Sequence, residues 1–167
     1  MTVHPIGPLY NADAKILILG SFPSVKSREA MFFYGHPQNR FWKVISAILS
    51  ENEPKSVAEK KALILENHIA LWDVIHSCEI AGSADSTIRG VTANDLTPIL
   101  RTADIRAIFV NGKTAKRYYD LYIRDTVGRE AICLPSTSPA NAGYSLDRLT
   151  AQWRAAILPF LTFRNCI

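Results

Sequence analysis

Short aliphatic runs alternate with stretches of helical periodicity along this chain. Lys15-Ile-Leu-Ile-Leu-Gly20 is an unbroken aliphatic run closed by glycine, the pattern of a strand buried on both faces. Phe41, Val44, Ile45, Ile48 and Leu49 recur at helical spacing and predict a helix that opens near Asn39 or Arg40. Ser56-Val-Ala-Glu59 has the form of a capping box, and Ala62, Leu63 and Leu65 continue a second helix behind it. Ile69-Ala-Leu-Trp-Asp-Val-Ile75 reads as the next strand, Ile105 to Val110 as a third and Ala131-Ile-Cys-Leu134 as a fourth. Asp95 to Arg101 reads as a short helix with Pro98 in its first turn, and Thr114 to Tyr122 as a longer one. Ser145 caps a last helix whose Leu146, Leu149, Trp153 and Ile157 face the core. Ser77 to Ala93, rich in Ser, Gly and charge, reads as a long loop, and long loops in compact domains are often functional.

Aliphatic strands alternating with helices, joined by crossovers longer than a hairpin allows, imply an α/β fold. The expected architecture is a three-layer α/β/α domain with a central four-stranded parallel sheet, spanning residues 1–167 as one unit. Ligands in such folds bind beyond the carboxyl ends of the strands. Attention therefore falls on Gly20-Ser-Phe-Pro-Ser24, Asp73 onward, Asn111-Gly112 and Pro135-Ser-Thr-Ser-Pro139.

Composition narrows the class. With 167 residues, 48% hydrophobic and 20% charged, the chain can build an ordinary core and is neither a disordered tail, a collagen nor a coiled coil. Met1 to Lys15 has no continuous apolar core, so no secretory signal is expected. Ala155 to Phe163, the longest nearly apolar stretch, is broken by Pro159 and too short for a membrane span. These features predict a cytoplasmic protein with no membrane partner. Cys78, Cys133 and Cys166 are an odd set without a CxxC pair, which argues against a disulfide scaffold or zinc ribbon. Cys133 lies in an apolar run and is expected to be buried. His4 falls in the amino-terminal tail, His68 and His76 flank a strand, and His36 precedes Pro37; no metal and no cofactor is expected. The net charge of +4 suits a polyanionic partner without requiring one.

Familiar catalytic signatures are absent: Gly20-Ser-Phe-Pro-Ser24 is neither a dinucleotide-binding nor a P-loop motif, and GxSxG and HExxH do not occur. The densest cluster is Met31-Phe-Phe-Tyr-Gly-His-Pro-Gln-Asn-Arg-Phe-Trp42. It reads either as an apolar loop with Asn39 as a helix cap, or as a platform on which a flat base stacks beside an amide that holds a water. Leu134-Pro-Ser-Thr-Ser-Pro-Ala-Asn-Ala-Gly143 reads either as a plain strand-to-helix connection or as a stiff loop gripping phosphates.

Taken together these segments resemble a known group. Tyr34-Gly-His-Pro-Gln-Asn-Arg-Phe-Trp-Lys-Val-Ile45 is similar to the HPxNRFWKVI stretch of the mismatch-specific uracil/thymine-DNA glycosylases. Gly20–Ser24 and Leu134–Pro139 occupy the places of the first and second motifs of the uracil-DNA glycosylase superfamily, with Phe22 where a water-positioning polar residue is usual. Gly20–Ser24, His36–Trp42, Leu71–Val74, Gly82–Ile88 and Ser136–Asn141 together resemble the DNA-deoxyinosine (hypoxanthine-DNA) glycosylases.

The resemblance implies a monofunctional glycosylase of base excision repair. Its partner would be DNA holding a deaminated base, hypoxanthine first and uracil or mispaired thymine as the alternative. A catalytically silent nucleic-acid-binding module remains a third reading. The resemblance places the catalytic amide at Asn39, orienting water through its carbonyl oxygen. Phe22 and Tyr34 become stacking residues. Asp73 either accepts the N1–H of hypoxanthine, donates when protonated, or caps its strand. Asn111 either contacts base or sugar, or makes the turn with Gly112. Ser21, Ser136, Ser138 and Asn141 are expected to touch the DNA backbone. Lys43, the only lysine in these stretches, is expected to face phosphate or solvent, so no lyase chemistry follows. A monomer is expected.

Overall fold

The structure is a computed structural model that describes residues 1–161; Cys166 and the end of the apolar stretch at Phe163 lie outside the described residues. In chain order the elements are β1 (Thr2–Val3), β2 (Ile16–Gly20), α1 (Val25–Ala30), α2 (Phe41–Ile48), α3 (Val57–Glu66), β3 (Ile69–Asp73) and β4 (Ile75–Glu79). A 3₁₀ turn at Asp85–Thr87 leads to β5 (Arg89–Ala93), α4 (Thr97–Thr102), β6 (Ala107–Asn111), α5 (Lys113–Tyr122), α6 (Arg124–Val127), β7 (Ile132–Leu134) and α7 (Leu146–Leu161).

The main sheet has the order β3-β2-β6-β7 and every pairing in it is parallel. β2 is flanked on both sides and buried along its whole length, which is why its sequence is aliphatic without alternation. Its side chains divide between two cores. Ile16 and Ile18 join Phe41 of α2 and Trp153 of α7 on one face. Leu17 and Leu19 join Ile99 of α4 and Tyr119 of α5 on the other. Helices on both faces of a parallel sheet make the expected three layers.

The local signals for helix ends are met. Ser56 Oγ accepts from Glu59 N at 3.1 Å, and Glu59 Oε2 accepts from Lys55 N at 2.6 Å. Pro98 stands in the first turn of α4, and Ser145 Oγ accepts from Arg148 N at the start of α7.

Three expectations need correction. Ser77 to Ala93 is not one long loop. β4 and β5 pair antiparallel there, and β1 pairs with the other edge of β4, giving a second sheet of order β1-β4-β5. Its strands are short, irregular in register and partly solvated, so polar residues interrupt the apolar pattern that marks a strand. The run Ile69–Ile75 likewise divides at Val74, whose N–H donates to Gly20 O at 2.8 Å as the chain leaves the main sheet. Second, the amino-terminal segment is no tail: His4 N donates to His76 O at 2.6 Å, and Leu9 exchanges both backbone hydrogen bonds with Leu71 at 2.9 Å. Third, Cys133 is exposed rather than buried, because β7 is a three-residue edge strand whose first two residues face solvent. Among the described residues no helix is long and apolar enough to cross a membrane.

Candidate active site

A cleft of about 540 Å³ opens beyond the carboxyl ends of β2, β3, β6 and β7. That volume lies within the usual range for small-ligand sites. Of the residues singled out in the sequence, Ser21, Phe22, Tyr34, Asn39, Asp73, Asn111, Ser136 and Ser138 all line it. Asn141 does not.

The aromatic wall is set from two directions. Tyr34 stacks on Phe41, with ring centroids 3.9 Å apart and planes at 17°, so the core supports one face of its ring. The loop carrying Tyr34 is tied to α1 by Gly35 N donating to Ser27 Oγ at 2.9 Å, and to α2 by Trp42 Nε1 donating to Phe33 O at 3.2 Å. Tyr34 itself has a left-handed backbone, φ 51°, which is costly for a bulky residue and is typical of functional sites. Its hydroxyl is buried, with the Asn111 side chain beside it. Burial first, then the nearby Asp73 charge, pushes the phenol pKa far upward, so it stays protonated. Phe22 is buried, with the His4 ring edge-on at 5.8 Å and the Arg28 guanidinium 5.7 Å from its centroid.

Asp73 ends β3 opposite Gly20 in register. A Cβ on Gly20 would stand 2.3 Å from Asp73 Oδ1 and 3.3 Å from the Tyr34 hydroxyl, so glycine is what lets both side chains close over the end of β2. The other carboxylate oxygen, Oδ2, is 2.6 Å from His4 Nε2. His4 Nδ1 accepts the Ile6 N–H at 3.1 Å, so the ring proton sits on Nε2 and donates to Asp73. A residue assigned to the tail by sequence thus holds the carboxylate of the site.

Asn39 sits between α2 and the loop after β7. Its Oδ1 accepts the Phe41 N–H at 2.9 Å and the Thr137 hydroxyl at 2.9 Å. The N-cap of α2 is Arg40 rather than Asn39; Asn39, one residue earlier, takes the N–H of the first helical residue and lines the cleft with the same side chain. Asn111 does not make the turn alone: its Oδ1 accepts Thr137 N at 3.0 Å and its Nδ2 donates to Thr137 Oγ1 at 2.9 Å. The turn is left to Gly112, at φ 97°, where a Cβ would meet Ser136 Cβ at 3.1 Å.

Arg40 joins the two motifs. Its backbone N–H donates to Thr137 O at 3.1 Å, and its guanidinium donates to Ser138 O and Asn141 O at 3.0 Å each and to Tyr144 O. Trp153 Nε1 adds a bond to Pro135 O at 2.9 Å. Within the loop, Ser136 Oγ accepts from Ser138 N and Ser138 Oγ accepts from Ala140 N. Both hydroxyl oxygens therefore act as acceptors within the loop, and both side chains line the cleft. Asn141 lies outside the cleft lining, and its Nδ2 donates to Ser136 O at 3.0 Å, which shapes the loop. Ser21 is also spent elsewhere, donating to Asp85 at 3.2 and 3.3 Å. Burial raises the Asp85 pKa, against the Ser21 hydrogen bond that lowers it.

The sequence profile of the uracil DNA glycosylase superfamily matches residues 8–162, nearly the whole chain. The chain belongs to that superfamily. A hypoxanthine DNA glycosylase of Methanosarcina acetivorans is 37% identical over 145 residues, covering 86% of this chain and 90% of that protein. A second hypoxanthine DNA glycosylase, from Methanosarcina barkeri, is 30% identical over 151 residues, covering 89% and 94%. A solution NMR structure of a Methanosarcina acetivorans protein classed with the uracil DNA glycosylases superposes with a TM-score of 0.77 at 33% identity, covering 90% of this chain and 92% of that one.

This uracil DNA glycosylase superfamily member is a DNA glycosylase, a hydrolase of N-glycosyl bonds. Its first motif places Phe22 in the cleft beside Ser21 and Ser24, and the carboxamides come from Asn39 and Asn111. His4, Asp85 and Thr137 went unassigned in the sequence. Asp85 and Thr137 lie inside the stretches Gly82–Ile88 and Ser136–Asn141 that carried the resemblance, so a signal for them was present. Nothing in the sequence ties His4 to a site 69 residues away.

Proposed function

We propose that this glycosylase excises hypoxanthine from DNA, with Asn39 as the catalytic group. The observation that carries the reading is the placement of one fixed, uncharged carboxamide in the same cleft as an aromatic wall and a buried carboxylate.

Reaching the glycosidic bond requires the nucleotide to leave the stack. Tyr34 and Phe22 offer the flipped base an aromatic seat, worth about 1–3 kcal/mol per stacked base. Asp73 reads the base edge. With Oδ2 occupied by His4, its Oδ1 is an acceptor for the lactam N1–H that deamination creates. Adenine presents a lone pair at N1, which a carboxylate repels, so the same oxygen separates the damaged base from its parent.

The reaction breaks the C1′–N9 bond with the electron pair leaving on the base. A water oxygen bonds to C1′ of the cationic sugar, and a proton from that water ends on the departing base. In such a dissociative step the water needs to be placed more than activated. Both lone pairs of the Asn39 carbonyl are engaged, so the expected role of that oxygen in holding water passes to Nδ2, whose hydrogens donate to the water oxygen. Ser136 and Ser138 supply hydroxyl protons to the flanking phosphates. No lysine lines the cleft among the described residues, so the reaction stops at the abasic site.

Duplexes carrying one deoxyinosine or one deoxyuridine, incubated with the protein and then treated with alkali, test this reading. Strand breaks at deoxyinosine, and a single-turnover rate reduced at least about 100-fold in Asn39→Ala, are expected. Breaks mainly at deoxyuridine, binding without breaks, or an Asn39→Ala variant near the wild-type rate would overturn it.

A further inference from the structure

Thr137 is, among the described residues, the polar residue of the cleft wall with no exposure at all, and its hydrogen bonds have only one possible direction. Thr137 N–H and Phe41 N–H can only donate, so Asn111 Oδ1 and Asn39 Oδ1 must be the oxygens that face them. Asn111 therefore presents Nδ2 to Thr137 Oγ1, at 2.9 Å, and fills that acceptor. The threonine hydroxyl proton is then left to donate to Asn39 Oδ1, also at 2.9 Å. Two backbone N–H groups, one in the loop after β7 and one at the start of α2, thus fix the sense of a three-side-chain relay: Asn111 to Thr137 to Asn39. Ordinary amide ambiguity does not arise here.

We infer that Thr137 is a positioning residue for the glycosylase reaction. It locks the Asn39 carboxamide with its carbonyl turned away from substrate and its Nδ2 hydrogens turned to the cleft. The inference rests on Asn39 being the group that acts. Loss of the hydroxyl frees one lone pair of Asn39 Oδ1 and removes the Thr137 acceptor from Asn111 Nδ2. Asn39 can then rotate, and the hydrogens that hold the water are no longer held at one angle. Because donation to the carbonyl polarises the amide, the same hydroxyl also strengthens Nδ2 as a donor. The Arg40 N–H on Thr137 O, at 3.1 Å, keeps the threonine backbone in place, so a change of side chain alters the relay and not the loop.

The test is single-turnover excision from a deoxyinosine duplex, measured beside affinity for a duplex with an abasic-site analogue. Thr137→Val keeps the shape and removes the hydroxyl; its rate is expected to fall roughly 10- to 100-fold, the scale of a small misplacement of a reacting group. Affinity for the abasic duplex is expected to be unchanged, and Thr137→Ser to restore the rate to within about threefold of wild type. In an Asn39→Ala background, Thr137→Val is expected to add nothing. A Thr137→Val rate within about threefold of wild type, or an equal further loss in the Asn39→Ala background, overturns the inference. A wild-type rate in Asn39→Ala alone overturns the assignment of Asn39 instead. Should Thr137→Val not fold, Thr137→Ala takes its place. The unaltered protein must in any case show a Thr137 hydroxyl proton in slow exchange with solvent by NMR, and a freely exchanging one also rejects the relay.

Discussion

His4 Nε2 lies 2.6 Å from Asp73 Oδ2, with 1% and 6% of the two side chains exposed, so a carboxylate of the cleft is held by the strand-forming amino-terminal segment. The imidazole also packs edge-on against Phe22 and Trp72, so one ring supports both the aromatic wall and the Asp73 carboxylate.

His4→Phe keeps a ring of similar bulk and removes the donor. A hydrogen bond to a charged group is worth about 1.5–3 kcal/mol, and that loss is expected in urea denaturation. The released carboxylate is also expected to read N1–H less selectively, narrowing the ratio of deoxyinosine to deoxyadenosine excision. An unchanged urea midpoint would sink the structural half of this prediction, and an unchanged ratio the functional half.

Gly20→Ala places a methyl group 2.3 Å from Asp73 Oδ1. A free carboxylate would swing aside, but this one is held by His4, so something costlier must move. The expected result is a stability loss of about 1–3 kcal/mol, the usual scale of overpacking, together with loss of deoxyinosine excision. Calorimetry and the alkali assay check both; a wild-type-like variant would show that Asp73 is not held rigidly.

Asp85→Asn tests the second carboxylate. Burial raises the Asp85 pKa above its ordinary 3.8, so the folded protein holds that proton more tightly than the unfolded chain does. Stability tied to this group is fully present below 3.8 and is lost as pH rises through the raised value. Asn never ionises and still accepts the Ser21 hydroxyl. The variant is expected to melt above wild type at pH 7, with the gap closing as pH falls toward the ordinary carboxylate value. A gap of the opposite sign at pH 7 would mean that the Ser21 hydrogen bond outweighs burial.

The sheet was legible because β2, β3 and β6 are shielded on both sides, and such strands must be aliphatic. α2 and α7 were legible because each has one face on the core, so Phe41 and Trp153 mark a helical period. β4 and β5 were not, because half-solvated strands with register shifts lose the alternation that identifies them. In the site, the residues following the parallel strands could be named in advance, since topology alone carries them to one end of the sheet. What those residues bond to could not. That Ser21 donates to Asp85 and Asn141 to the Ser136 carbonyl is set by tertiary contacts no local pattern carries. His4 was hidden for the plainest reason: its partner is distant in sequence, and no period or motif joins them.

The pairing of β1 with β4 has a bearing on biosynthesis. Residues near His4 leave the ribosome before the strand that receives them has been translated, and must wait, uncommitted, through the making of β2, three helices and β3. The His4–Asp73 contact therefore cannot close until about seventy further residues have been made, and one wall of the cleft waits on that return.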